Sequence, residues 1–278
     1  MAASLFPPAA TSAALAAPRI WRRLSQAQRL ARFAVYLVIV AAIALSVQSV
    51  EVIPEFLADA PEQVLDLLTR MWPPDWPHYR GTVHDALTET IHIATLGTLL
   101  ALILAVPVGV LAARNLVPST PVNLVAKLIL VSSRSVNSLV WALLFVGIFG
   151  PGALAGTLAI AFRSVGFVGK LFGEALEEAQ PGPLEALTAA GAPWLSRMSF
   201  GYWPQVKPAF WSIALFRWDI NVRESAVLGL VGAGGIGMAL DAALNLFQWD
   251  RVAVILAAIF AVVIIAELVV TQVRKRVI

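Results

Sequence analysis

Long apolar runs, separated by short charged or glycine- and proline-rich segments, constrain this sequence more than any other feature. A helix needs about 20 apolar residues to cross a bilayer, and about six stretches of roughly that length occur here. These predicted spans are residues 33–50, 85–113, 122–149, 153–172, 209–231 and 251–273. Hydrophobic residues make up 59% of the chain and charged residues 13%, which is typical of integral membrane proteins. We therefore predict an all-α, polytopic membrane protein, and nothing in its charge balance indicates a nucleic acid partner.

The distribution of charge predicts which ends of the spans face the cytoplasm. Arginines cluster at positions 19–32, before the first span, and basic residues 274–276 follow the last span, whereas residues 51–66 are acidic. Because basic flanks stay in the cytoplasm, we expect both termini there and the acidic segment outside. A cleaved signal peptide is the alternative for the first span. Its basic region would be unusually long, and no clear small-x-small cleavage site follows the apolar run.

This topology divides the chain into three predicted parts. Residues 1–32 are a cytoplasmic tail, residues 33–80 hold the first span with an external interfacial segment, and residues 81–278 form the core. The core contains a polar island at 180–208, which the topology places in the cytoplasm.

The polar island is predicted to form two short helices at an angle to each other. Pro183 suits the first position of a helix, and Glu185 would then lie in the first turn, where the helix dipole favours a carboxylate. Gly191 is the expected end of this helix, and Pro193 the start of the next. Two such helices make a knob that could fit a groove on a soluble partner.

The spacing within this island resembles the EAA loop of ABC importer permeases. The matching positions are Glu185, Ala186, Ala190, Gly191 and Pro204. Three positions depart from the family pattern: Leu187 replaces its third alanine position, Gly201 its usual isoleucine and Trp203 its usual leucine. The resemblance implies that this loop docks a cytoplasmic ATPase subunit through a coupling helix.

A second resemblance concerns the fifth span. The run from Trp218 to Arg223, and from Ser225 to Gly237, is similar to the corresponding signature of phosphonate importer permeases, a group with phosphite relatives. The resemblance implies a type I ABC importer architecture of the methionine-permease kind, in a bacterial plasma membrane. It further implies a homodimer, two copies of an ATPase subunit and an external phosphonate-binding protein, surrounded by membrane lipid. ATP and Mg would be bound by the partner ATPase, so that this chain would hold no cofactor or metal and would not be an enzyme.

Polar residues inside the spans are candidates for the translocation path. A phosphonate is a strongly hydrated dianion, so its passage requires positive groups or amide donors that water can reach. The candidates are Arg134, Asn137, Arg163, Arg217, Asn221 and Arg223. Asp219 and Glu224 would neutralise Arg217 and Arg223, and structural pairing is the alternative to substrate contact. The four-residue spacings of Arg217 with Asn221 and of Asp219 with Arg223 favour pairing.

Four glycines end the fifth span: Gly232, Gly234, Gly235 and Gly237. Three of them match the dinucleotide-binding pattern G-x-G-x-x-G, but that pattern has meaning only between a strand and a helix. We therefore interpret these glycines as sites of close helix packing or as a flexible gate.

Three other functions remain as alternatives. One is a permease of the same family for methionine or another small solute, and another is a secondary transporter that needs no ATP. A membrane enzyme acting on lipid phosphates is the third, but its clustered histidines or carboxylates are missing from the sequence.

Overall fold

The computed structural model describes residues 25–50 and 54–277, and all regular structure within them is helical. In chain order the helices are α1 Gln26–Ser49, α2 Pro54–Arg70, α3 Trp76–His78, α4 His84–Ala112, α5 Thr120–Ser135, α6 Ser138–Phe149, α7 Ala153–Glu177, α8 Pro181–Ala189, α9 Trp194–Ser196, α10 Trp203–Leu228, α11 Ile236–Asn245 and α12 Trp249–Val277. π-helical turns at Tyr79–Val83 and Arg197–Tyr202 connect α3 with α4 and α9 with α10. The chain divides into two compact units after Glu62, and all packing described below lies in the second unit. The expected tail, residues 1–32, falls largely outside the described residues, and the division at residue 80 stays a prediction.

The length and composition of the helices confirm the predicted membrane fold. Four described segments are long and apolar enough to cross a membrane: Gln26–Ser49, Trp76–Ala112, Ala153–Glu177 and Trp249–Arg276. Two bent pairs satisfy the same test when each is taken as one span. They are α5 with α6, bent by 90°, and Trp194–Val231 with α11, bent by 41°. The described chain therefore holds four to six spans, in line with the predicted number.

The core of the second unit is built around α7, which contacts α4, α5, α6 and α10. Glycines allow α4 and α7 to approach closely, as is usual between helices in a membrane. A Cβ atom at Gly97 would lie 2.7 Å from Ile160 Cγ2, and one at Gly109 would lie 2.9 Å from the carbonyl oxygen of Gly169. Any larger side chain at these two positions would push the helices apart.

The predicted third span is broken where its sequence turns polar. Val136 is extended, and Asn137 caps α6 by accepting a hydrogen bond from the backbone N–H of Leu139 at 3.1 Å. The hydroxyl of Ser133 donates to the carbonyl of Phe162 and accepts from the N–H of Gly166. The polar residues thus fasten the end of α5 to α7 and allow the chain to turn.

The fifth span differs from its predicted bounds at both ends. α10 begins at Trp203, inside the island, and ends at Leu228, because its first turns continue directly from the π-helical turn before it. The loop of glycines follows, and then α11, which lies outside the predicted spans. Ile236 and Ala243 of α11 are buried in the cluster that packs against α12.

Candidate functional site

A polar pocket lies between α5, α7 and α10, within the otherwise apolar bundle. It is lined by Val131, Arg134, Ser135, Arg163, Phe167 and Arg217. Three of the predicted path residues, all arginines, therefore come together although 83 positions separate the first from the last in the sequence. The pocket is thus lined by three guanidinium groups, which are the side-chain groups that proteins often use to bind phosphate and carboxylate.

Glu224 joins two of these arginines across the interface of α7 and α10. Its carboxylate accepts a hydrogen bond from Arg163 Nη1 and lies 3.3 Å from Nη2 of Arg217. The Arg217 side chain is 4% exposed, and its guanidinium carbon lies 5.5 Å from the centre of the Phe167 ring. The Arg163 side chain, in contrast, is 29% exposed. Glu224 therefore pairs with both arginines. Of the two, Arg217 is enclosed, whereas Arg163 is partly accessible from the pocket.

An uncharged hydrogen-bond chain continues from Arg217 into the bundle. Arg217 Nε donates to the hydroxyl of Ser164 at 2.8 Å, and that hydroxyl donates to Asn221 Oδ1 at 3.2 Å. Asn221 Nδ2 in turn donates to the hydroxyl of Thr98 at 2.7 Å, which donates to the carbonyl of Ala94. The chain connects α10, α7 and α4, and because Asn221 is fully buried it serves here to connect helices.

The predicted neutralisation of Arg217 by a carboxylate is present, since Glu224 lies 3.3 Å from it. The predicted four-residue contact of Arg217 with Asn221 is wrong: within the described structure Arg217 bonds to Ser164 and Glu224 instead. Tertiary contacts across α7 outweigh the four-residue spacing on one helix. The expected pair of Arg223 with Asp219 is present, at 2.8 Å.

Two other predicted path residues lie away from the pocket. Arg223 contacts Asp219 and also Glu267 of α12, at 3.7 Å, so it points toward α12 rather than toward α7. Asn137 uses its side chain as the cap of α6. Contact of either residue with a substrate stays a prediction.

Three of the four glycines pack closely against neighbouring helices: Gly234 against α7, Gly235 against α4 and Gly237 against the end of α10. Gly232 accepts a hydrogen bond from the N–H of Gly152, and the N–H of Ile236 donates to the hydroxyl of Thr90 on α4. A Cβ at Gly234 would lie 2.8 Å from the backbone nitrogen of Ala153. Positive φ angles at Gly232, Gly234 and Gly235, and a similarly tight fit at Gly237, complete the loop. The contacts favour the packing interpretation over a loose gate.

The coupling loop, residues 180–208, begins with α8 and ends inside α10. α8 starts at Pro181, two residues earlier than predicted, so Glu185 lies beyond its first turn and the expected dipole contribution is lost. Gly191 ends it as predicted, with φ of +71°. Its N–H donates to Thr188 and that of Ala192 to Leu187, which together form a Schellman motif. The second predicted helix is reduced to α9 and the π-helical turn that follows it.

Two leucines and one glutamine hold α8 against the π-helical turn and the start of α10. A Cβ at Gly201 would lie 2.6 Å from Leu184 Cδ2 and 3.1 Å from Leu187 Cδ1, so α8 packs directly over this glycine. Gln205 on α10 accepts from the N–H of Gln180 at 2.8 Å and donates to the carbonyl of Gly201 at 2.8 Å. The matching positions Glu185, Ala186, Ala190, Gly191 and Pro204 are all exposed. They remain available to a soluble partner.

Comparison with known proteins identifies the family of this chain. The family described as "Binding-protein-dependent transport system inner membrane component" matches residues 105–278. The phosphite transport system permease protein PtxC of Stutzerimonas stutzeri is 41% identical over 195 residues, which cover 70% of each chain. The phosphate-import permease protein PhnE of Mycolicibacterium smegmatis is 38% identical over 83% of this chain, although the match spans only 43% of that protein.

Solved structures support the same fold. The inward-facing MetNI methionine ABC transporter superimposes with a TM-score of 0.63 at 19% identity, over 73% of this chain and 99% of its counterpart. An amino acid ABC transporter gives a TM-score of 0.60 at 19% identity, over 72% of this chain and 95% of that one. At this identity the likeness shows the architecture only. Taken with the family match and the curated relatives, it shows that the chain belongs to the inner membrane permeases of binding-protein-dependent ABC importers, in the branch whose members are named for phosphonate, phosphite and phosphate transport.

Proposed function

We propose that this permease carries phosphorus oxyanions, namely phosphonates, phosphite or phosphate, through a path formed by two copies of the chain. The observation that supports this substrate class is the pocket of Arg134, Arg163 and Arg217 inside an apolar bundle. A hydrated oxyanion crosses such a bundle only where charged hydrogen bonds replace its water, and guanidinium groups match the geometry of phosphoryl oxygens. The names of the phosphite and phosphate-import relatives agree with this choice.

Energy for transport comes from a separate ATPase in this proposal. Permeases of the family are not enzymes themselves. Two ATPase subunits bind ATP and Mg and dock on the exposed surface of α8, with Glu185 as a contact. An external binding protein delivers the anion. Closure of the ATPase pair moves α8 and turns the path outward, and hydrolysis restores the starting arrangement.

The orientation in this proposal places both termini and the coupling loop in the cytoplasm. Basic residues after the last span support this, since Arg274, Lys275 and Arg276 close α12. The loop of glycines between α10 and α11 then lies on the external side, where the binding protein docks.

The substrate class is tested with the complete importer in proteoliposomes. ATP hydrolysis is measured with the binding protein loaded in turn with methylphosphonate, phosphite, phosphate or methionine. We expect stimulation by at least one phosphorus anion and none by methionine. Stimulation by methionine alone would replace the proposal with its methionine alternative, and uptake without ATP would indicate a secondary transporter.

A further inference from the structure

One carboxylate, that of Glu224, contacts two of the three guanidinium groups in the pocket. Both of its oxygens are used, one toward Arg163 on α7 and one toward Arg217 on α10. Arg134 has no ion pair among the described residues and lines the same pocket from α5. Glu224 therefore controls how much of the positive charge is available to an anion.

The charges of these four residues match those of a phosphoryl dianion. Three guanidinium groups and one carboxylate leave a formal net charge of +2 at the pocket. A phosphoryl group carries about −1.5 to −2 near neutral pH. Without Glu224 the pocket would exceed the charge of its ligand, and an anion held by three arginines would leave slowly.

The two arginines that bind Glu224 differ in how firmly they are held. Arg217 is enclosed by Ser164 and Phe167, so it stays in place whether or not Glu224 moves. Arg163 is partly exposed, and among the described residues its ion pair is with Glu224 alone. Arg163 is therefore the group whose partner can change.

We propose that Glu224 is an exchangeable counter-ion, a positioning residue that yields Arg163 to a phosphorus-containing dianion and later reclaims it. The anion binds Arg134 and Arg163, while the carboxylate keeps its contact with Arg217. Because one charged partner replaces another, Arg163 is never left unpaired in a region where an unpaired charge is costly. Return of the carboxylate to Arg163 then expels the anion. This inference rests on the proposed function.

The test compares binding with turnover in the Glu224→Gln variant of the complete importer. Equilibrium binding of radiolabelled methylphosphonate is measured without the binding protein, and uptake is measured with it. We expect about tenfold tighter binding and about tenfold slower maximal uptake, because one compensating charge is removed next to a partly buried anion. Glu224→Asp keeps the charge and should stay within about threefold of the unchanged protein in both measurements.

Two further comparisons separate charge matching from simple packing. Glu267→Gln removes another carboxylate of a spanning helix, on the side of α12, and should leave binding unchanged. The monomethyl ester of methylphosphonate carries a single charge, so the unchanged protein should bind it about tenfold more weakly than the dianion. Equal binding of ester and dianion would overturn the charge match.

The exchange fails if Glu224→Gln binds methylphosphonate with unchanged affinity, since the carboxylate would then be only a structural partner. Where that variant does not accumulate in the membrane, Arg163→Gln decides instead: binding should weaken about tenfold, because the exchanging group is gone. Unchanged binding by Arg163→Gln overturns the exchange. If the unchanged importer neither binds nor transports phosphorus anions, the proposed function itself is wrong.

Discussion

At the scale of single residues, the informative property of Glu185 is that its charged side chain faces outward from α8. It is exposed on α8 and has no side-chain hydrogen bond or ion pair within the part of the chain that the structure describes. A charged side chain in that position adds little to the stability of its own helix. The exposed position of Glu185 is consistent with its proposed contact with an ATPase subunit.

Replacing Glu185 by Ala should separate ATP hydrolysis from uptake. We expect uptake to fall at least about tenfold, the effect of losing one charged contact at an interface, while the amount of protein in the membrane stays the same. Glu178→Ala is the matched control, because Glu178 is also exposed but precedes the coupling loop. Normal uptake by a Glu185→Ala protein that is present at normal levels would contradict the coupling role.

The arginine cluster shows how far the sequence alone predicts a site. Arg134, Arg163 and Arg217 could be selected as path residues, because charges inside apolar runs are expensive and therefore informative. Spacing on one helix also predicted the pair of Arg223 with Asp219 correctly. It could not predict that Glu224 joins Arg163, 61 positions away, or that Ser164 and Thr98 extend the network. Those contacts depend on how α7 rotates against α10, which short-range spacing does not determine.

At the scale of elements, two departures from the family pattern compensate for each other. Leu187 stands where an alanine is usual, and Gly201 where an isoleucine is usual. Leu187 covers the glycine together with Leu184, which lies nearer to it. A large and a small side chain have thus exchanged places across one contact. A paired change of this kind can preserve the packed volume although both residue types differ.

Gly201→Ile should therefore impair coupled transport, and Leu187→Ala should partly restore it. The isoleucine overlaps both leucines, whereas the added alanine removes one overlap; the two changes should couple by about 0.5–3 kcal/mol. Unfolding in detergent and anion-stimulated ATP hydrolysis measure the effect. Leu195→Ala is the control, because this leucine lies in the same loop but is 69% exposed. Equal rescue by both alanines would show that the compensation is not local.

Helix prediction was accurate for the long apolar runs and poor for the short elements between them. α4, α7 and α12 lie close to their predicted bounds, because bilayer-length runs have few other ways to satisfy their backbone. α11 was missed because the glycines before it indicated the end of the fifth span. The polar residues before Asn137 mark the place of the 90° bend between α5 and α6. The sequence could not predict the angle, which depends on tertiary contacts such as the hydrogen bond of Ser133 to α7.

At the scale of the whole molecule, the absence of cysteine makes the orientation directly testable. The sequence contains none, so a single introduced cysteine reports one position without background. In intact cells, Asn245→Cys should react with a membrane-impermeant maleimide, because the proposed orientation places this end of α11 outside. Thr188→Cys, on α8, should react only after the membrane is opened. Reversed labelling would invert the proposed topology and remove the coupling loop from the reach of a cytoplasmic ATPase.

One continuous helix, α10, runs from the coupling loop to the charged pocket, so a tilt of this helix would move both. Gln205 ties the start of this helix to α8, and Arg217 and Glu224 lie further along the same rod, whereas Arg163 stands on α7. Glu224 is about 30 Å from Trp203 along the axis, so a tilt of about 5° would displace it by about 3 Å. That distance is as long as a hydrogen bond. A small movement of the coupling loop, carried along α10, would therefore be enough to separate the carboxylate from Arg163 and open that arginine to an anion. The reverse movement would return the carboxylate and expel the anion.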